Sequence, residues 1–98
     1  MSEEQIEKEI QEKGLSAPRL TPLAIDATVS TATYTNLPSG KCVICELTLK
    51  NGFTVRGESA CVSLDNFDQE IGNKIAYENA RDKIWQLEGY LLQEQFPA

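Results

Sequence analysis

The feature that most constrains this chain is Asn51-Gly52, set between two runs of strand composition, Lys41 to Leu49 and Phe53 to Ala60. A two-residue loop at Asn51-Gly52 pairs Lys50 with Phe53 and Leu49 with Thr54, which mixes apolar and polar side chains on both faces. A three-residue loop, Lys50-Asn51-Gly52, with Gly52 in the left-handed region as a bulge, removes the conflict. Leu49 then faces Phe53, Leu47 faces Val55, Cys45 faces Gly57 and Val43 faces Ser59. The opposite face pairs Thr48 with Thr54 and Glu46 with Arg56. Side chains alternate with a period of two, so only this register gives one apolar face and one polar face with a cross-strand ion pair. A β-branched residue is strongly disfavoured in the left-handed region, so Gly52→Val is a severe change.

The residues after this hairpin carry a helical pattern. Asp65 and Asp68 suit the positive end of a helix beginning at Ser63 or Asp65. Phe67, Ile71 and Ile75 form one stripe, and Ala76, Ala80, Ile84, Leu87 and Leu91 form another. Two adjacent stripes suit a helix that contacts both the hairpin and another helix. Gly72 inside it costs about 1 kcal/mol relative to alanine, which points to close approach of a strand or helix. Gly89 bends or loosens its end, and Pro97 follows it.

Towards the N-terminus, Ser2 is a good cap for a helix over Glu3 to Lys13, with Gly14 as the stop. Its stripe of Ile6, Ile10 and Leu15 is sparse. Ser16 to Leu20 is a linker. Thr21-Pro22 is a helix start, since proline at the first helical position loses no hydrogen bond. Leu23, Ile25, Val29 and Ala32 give a partial helical face, so a second helix is expected over Pro22 to Thr33, despite the weakly helical, β-branched run Thr28 to Tyr34. Residues 36–40 are turn-rich.

The expected fold is therefore α+β: N-terminal helices, one antiparallel β-hairpin and a long C-terminal helix packing on it. It forms a single domain over 1–98, divided into a helical arm and linker (1–20), a helix and loop (21–40), the hairpin (41–61) and the long helix (62–96). A chain of 98 residues buries only roughly 60–65% of its unfolded surface. A two-stranded sheet is also marginal alone. The thin core and the second helical stripe make a homo-oligomer the expected state.

Composition excludes several roles. The net charge is −6, from 15 acidic and 9 basic residues, which opposes nucleic-acid binding. No apolar run is long enough to span a membrane. The acidic, polar start MSEEQIEKEI lacks the basic and apolar segments of an export signal. Three cysteines, Cys42, Cys45 and Cys61, suggest reduced thiols in a cytoplasm.

Candidate chemistry is sparse. Histidine is absent, so no Ser-His-Asp or Cys-His pairing exists. Cys42 and Cys45 have metal-like spacing, but residues three apart on a strand point to opposite faces, so small buried hydrophobes are the default reading. No metal and no cofactor is expected. Asp65, Asp68 and Glu70 read as helix-start charges rather than as a catalytic cluster. The polar strand-to-helix link is the best candidate ligand site, built from Arg56, Glu58, Ser59, Asn66 and Asp68. Its bland alternative is that Gly57 and Ala60 make room for the helix while Ser59 and Asn66 satisfy the turn. Tyr77, Trp85 and Tyr90 read as core or interface.

The motif NGFTV-x-GESAC, then NFD-x-EIG-x-KIAYENA, then KIW-x-LEGYLL, closely covering Leu47 to Leu92, resembles a family of small tailed-phage and prophage proteins. That family is named after products of phages N4 and Sf6. The start EEQIEKEIQEKGLSAPRLTP is similar too, Tyr34 to Val43 matches least, and Leu64 stands where the family leads one to expect proline. The resemblance implies an accessory protein made in a bacterial host cytoplasm, unlike capsid, polymerase or nuclease families. Such a protein is expected to be non-enzymatic and to act by binding, possible modes being sequestration of a nucleotide-derived signal or blockage of a host protein in counter-defence. The alternatives are a small enzyme acting on a polar ligand and a minor virion component.

Overall fold

A computed structural model describes residues 2–15 and 17–96. Ser16 of the linker and Pro97 lie outside the described residues. The order of elements is α1 (Glu3–Glu12), α2 (Pro22–Thr28), β1 (Val29–Asn36), β2 (Cys42–Leu49), β3 (Thr54–Ala60), a 3-10 turn (Leu64–Asn66) and α3 (Gln69–Gln95). The strands form one antiparallel sheet in the order β1-β2-β3, and α3 lies across it. The fold is α+β, with the long C-terminal helix on the sheet.

The hairpin has the register expected from its side-chain pattern. Leu47 pairs with Val55, Cys45 with Gly57, Val43 with Ser59, Thr48 with Thr54 and Glu46 with Arg56. The loop is closed by Leu49 N–H donating to Phe53 O at 2.8 Å and Gly52 N–H donating to Leu49 O at 2.9 Å. Gly52 has φ +90°, the left-handed region assigned to it, and a side chain there would enter open space. The exposure of β2 alternates residue by residue, with Val43, Cys45, Leu47 and Leu49 buried.

The second helix is shorter than expected. It begins as predicted, with Thr21 Oγ1 accepting from Ala24 N–H and proline in the first turn, but ends at Thr28. The residues from Val29 to Asn36, of which Val29 to Thr33 were assigned to helix, form a third strand against β2, with Ala32 beside Leu47, Tyr34 beside Cys45 and Asn36 beside Val43. The physical reason lies in the composition already noted. Every second residue from Val29 to Thr35 is β-branched, such side chains lose rotamer freedom in a helix, and the open edge of β2 offers a ladder of hydrogen bonds instead.

The long helix begins later than Ser63 or Asp65. Leu64–Asn66 forms a separate 3-10 turn capped by Ser63, and Asp68 caps α3 by accepting Ile71 N–H at 2.9 Å. The stripes also differ in fate. Ala76, Ala80 and Ile84 are buried on the sheet, while Ile71, Ile75, Leu87 and Leu91 are exposed. The core joins Ile25 of α2, the four inward residues of β2, Val55 of β3 and these three residues of α3, with Leu20, Val29, Phe67, Tyr77 and Trp85 packed around them.

Helix and sheet approach closely because the residues between them are small. A Cβ on Gly57 would lie 2.6 Å from Ala76 O and from the Asn79 carbonyl carbon, and closer still to Ala80 N. The helix backbone thus rests directly on β3. Gly72 faces Val43 and Ser59, and Ser59 Oγ donates to Gly72 O at 2.8 Å.

Arg81 is the one buried charged residue among those described, at 5% exposure. Its Nη1 and Nη2 donate to both carboxylate oxygens of Glu3 at 2.7 and 2.8 Å, and its Nε donates to Asp26 Oδ1 at 2.7 Å. A further bond runs from Nη2 to Pro22 O at 3.2 Å. One guanidinium therefore ties α1 and α2 to α3, in the two-pronged geometry that suits arginine.

These two glycines separate two kinds of cost. Gly57→Ala must push α3 off the sheet, so the expected loss is about 3 kcal/mol or more. Gly52→Val meets no neighbour and carries only backbone strain, about 1–3 kcal/mol. Urea midpoints of the two variants check this; equal and small losses would mean that α3 can shift freely over β3.

Candidate functional site

The strand-to-helix link does not gather the five candidate residues at one point. Arg56 and Glu58 alternate with the buried Val55 and Gly57, so they stand on the face of β3 turned away from α3. Arg56 reaches Glu46 with Nη1 to Oε2 at 3.8 Å, a loose surface pair of the kind that contributes little. Glu58 lies near Cys42, with Sγ to Oε2 at 3.9 Å.

Ser59 points the other way and is occupied by Gly72 of α3. Asp68 is occupied as the cap of that helix. Asn66 sits exposed in the 3-10 turn, where its N–H donates to Ser63 O at 3.1 Å. Period-two alternation accounts for the separation, since neighbours 58 and 59 on a strand face opposite sides of the sheet.

What the structure does bring together is Arg56, Glu58 and Lys83, around a shallow cleft of about 230 Å³ with Ile44 and Gly57 also in its lining. Lys83 was not among the expected residues. Its only sequence signal is its place one helical turn after Asn79, whose Nδ2 donates to Glu58 O at 2.7 Å. The missing side chain at Gly57 lets α3 come down far enough for Lys83 to reach the β3 edge. Chemically the cleft offers two cations and one carboxylate at the surface, suited to holding one anionic or polar group.

The three cysteines are free thiols. Burial pushes the Cys45 thiol above its ordinary range, with Tyr34 partly offsetting this, so Cys45 is held in the neutral, unreactive form. Burial likewise raises Tyr34 and Tyr77. Among the described residues no group of His, Cys, Asp and Glu is placed to hold a metal ion, and no helix is long and apolar enough to cross a membrane.

A second concavity, of about 360 Å³, lies between α1 and the body, lined by Ile6, Ile10, Leu20, Pro22 and Trp85 together with Glu3 and Glu7. No residue of α1 is buried. The helix is held by charge at its start and its middle, Glu3 on Arg81 and Glu7 on Arg19, the latter with Nη1 and Nη2 at 2.7 and 2.8 Å from the carboxylate oxygens. The hydrogen bonds from Arg19 hold the Glu7 carboxyl below its ordinary value.

The sequence model of a phage protein family, N4 Gp49/phage Sf6 gene 66, matches residues 20–96. No curated protein and no solved structure matches the chain.

The state of α1 should follow pH with a defined sign. A lowered carboxyl pKa contributes stability that is complete above the ordinary glutamate value, about 4.3, and is lost as pH falls through the lowered value. Acidification below about pH 4 is therefore expected to release α1 and expose Trp85, read as a red shift of tryptophan emission. Arg19→Ala should show the shifted emission already at neutral pH. Emission unchanged by both treatments would mean that α1 is held without the Glu7 pair, by Glu3 on Arg81 and by its apolar side.

Proposed function

Since the chain belongs to the family of phage proteins named for N4 Gp49 and phage Sf6 gene 66, we propose that it is a non-enzymatic accessory protein that acts in the host cytoplasm by binding a host protein, in host modulation or counter-defence. The observation that supports this is the end of α3. The helix runs for 27 residues, about 40 Å, and its last turns carry Leu87, Tyr90, Leu91 and Phe96 exposed to solvent, Tyr90 at 70%. Leu87, Tyr90 and Leu91 fall at i, i+3 and i+4, the spacing by which an amphipathic helix enters an apolar groove of a partner. Glu94 follows one turn later on an exposed face, so the matching groove has a basic rim.

The cleft at Arg56, Glu58 and Lys83 supports a second reading, capture of a small anionic signal such as a nucleotide derivative. Its volume of about 230 Å³ is below the roughly 300–1,000 Å³ of most ligand pockets, so it fits one charged group rather than a whole nucleotide. Protein binding is therefore the preferred mode.

The two readings separate experimentally. Tagged full chain is recovered from host cells beside Tyr90→Glu/Leu91→Glu, whose exposed positions leave the fold intact by circular dichroism. The expected result is a host protein recovered with the parent chain, absent with the double variant, and binding the purified parent at micromolar concentration. Identical recoveries overturn the helix-docking reading. Calorimetry against a nucleotide panel, with Arg56→Ala as control, tests the other; micromolar binding lost in that variant would replace the protein-binding reading with the ligand one.

A further inference from the structure

The two edges of the sheet are finished differently. In β3 the residues bonded to β2 are the odd-numbered ones, as Leu49 N–H to Phe53 O and Cys61 N–H to Lys41 O show. The outward peptide groups therefore belong to Thr54, Arg56, Glu58 and Ala60. That edge is blunted, since it carries two charged side chains and Asn79 occupies Glu58 O.

The β1 edge has none of these devices. Its sequence, VSTATYTN, contains no charge and no proline, and every residue from Ser30 to Asn36 is exposed. Leu37 N–H donates to Cys42 O at 2.9 Å, so Leu37 directs its peptide groups at β2. By alternation Thr35, Thr33 and Thr31 do the same, in register with Ile44, Glu46 and Thr48. Ala32, Tyr34 and Asn36 consequently aim their N–H and C=O groups away from the sheet; the Asn36 side chain is bonded to Gln69 of α3, but among the described residues these outward peptide groups have no backbone partner.

Those outward groups are self-complementary. If a second β1 lies antiparallel with Tyr34 opposite Tyr34, then Ala32 stands opposite Asn36 and Asn36 opposite Ala32. Every outward donor then meets an outward acceptor, with no group of these three residues left over. The charge pattern fits the same occupant. A chain of net charge −6 repels its own copy over most of its surface, but this strand is neutral. The two Tyr34 side chains, each 41% exposed in the single chain, come together on the helix-side face, above Cys45.

We infer that the β1 edge is a self-association surface, on which a second copy of the chain pairs antiparallel about Tyr34 to make one continuous six-stranded sheet. This interface is separate from the α3 end and does not depend on the nature of the host partner. It also relocates the self-association expected from the helical stripes, because Ala76, Ala80 and Ile84 are already spent on the chain's own sheet.

Sedimentation of the full chain across a range from about 1 to 200 μM, together with residue-resolved hydrogen exchange, tests it. The expected result is a dimer whose Ala32, Tyr34 and Asn36 amides are protected at high concentration and lose at least tenfold protection on dilution, while the Thr33 and Thr35 amides stay protected throughout. Ala32→Pro removes only an outward N–H and should give a folded monomer. A monomer at the highest concentration overturns the inference. So does a dimer in which the Tyr34 amide exchanges freely, the result expected if the chains meet through α3. The exchange pattern of the parent chain decides the matter even if Ala32→Pro fails to fold.

Discussion

The contact on which the rest of the molecule depends is the seating of the α3 backbone on Gly57. Ala76, Asn79 and Ala80 leave no room for even a methyl group on that strand residue. Once the helix lies this close, other positions are determined. Gly72 can accept from Ser59, Asn79 reaches Glu58 O, and Lys83 overhangs the edge beside Arg56. Around this contact the larger apolar side chains Ile25, Leu47 and Ile84 are fully buried. The interior thus combines small residues at the helix-sheet contact, Gly57, Ala76 and Ala80, with aliphatic residues around them.

A second level of organisation is electrostatic. Arg81 is buried beside Ala80 and Ile84, and it gathers Glu3, Asp26 and Pro22 O around one guanidinium. Isolated inside the protein it would be costly, but its partners are half-exposed carboxylates, which keep most of their own hydration. Those partners raise its already high affinity for its proton further. The result is a permanent cation that orders three segments distant in the chain.

How much of this was legible depended on whether the signal was local. The hairpin register followed from Leu47, Leu49, Val55 and Gly52, because period-two alternation admits only one consistent pairing. The cap at Ser2 and the helix start at Thr21-Pro22 were equally local. The strand at Val29–Asn36 was misassigned because spacing at Leu23, Ile25 and Val29 imitates a helical face, while its true determinant is a non-local partner, the open edge of β2. The candidate site suffered in a similar way. Arg56 to Ser59 are adjacent in sequence, yet the pleat sends Glu58 and Ser59 to opposite faces. Arg81 carried no local cue and Lys83 only its spacing from Asn79, since the residues they meet lie 25 and more positions away.

The attachment of α1 makes it respond to its surroundings differently from the body. The matched family region covers residues 20–96, so this helix and Arg19 lie before it, while their anchor Arg81 lies within it. An apolar joint is nearly indifferent to ionic strength, whereas charge pairs at partly wetted sites weaken as counterions crowd in. The body and the arm thus respond to different variables of the surroundings. Rising ionic strength is therefore expected to loosen the hold on the arm before it loosens the body.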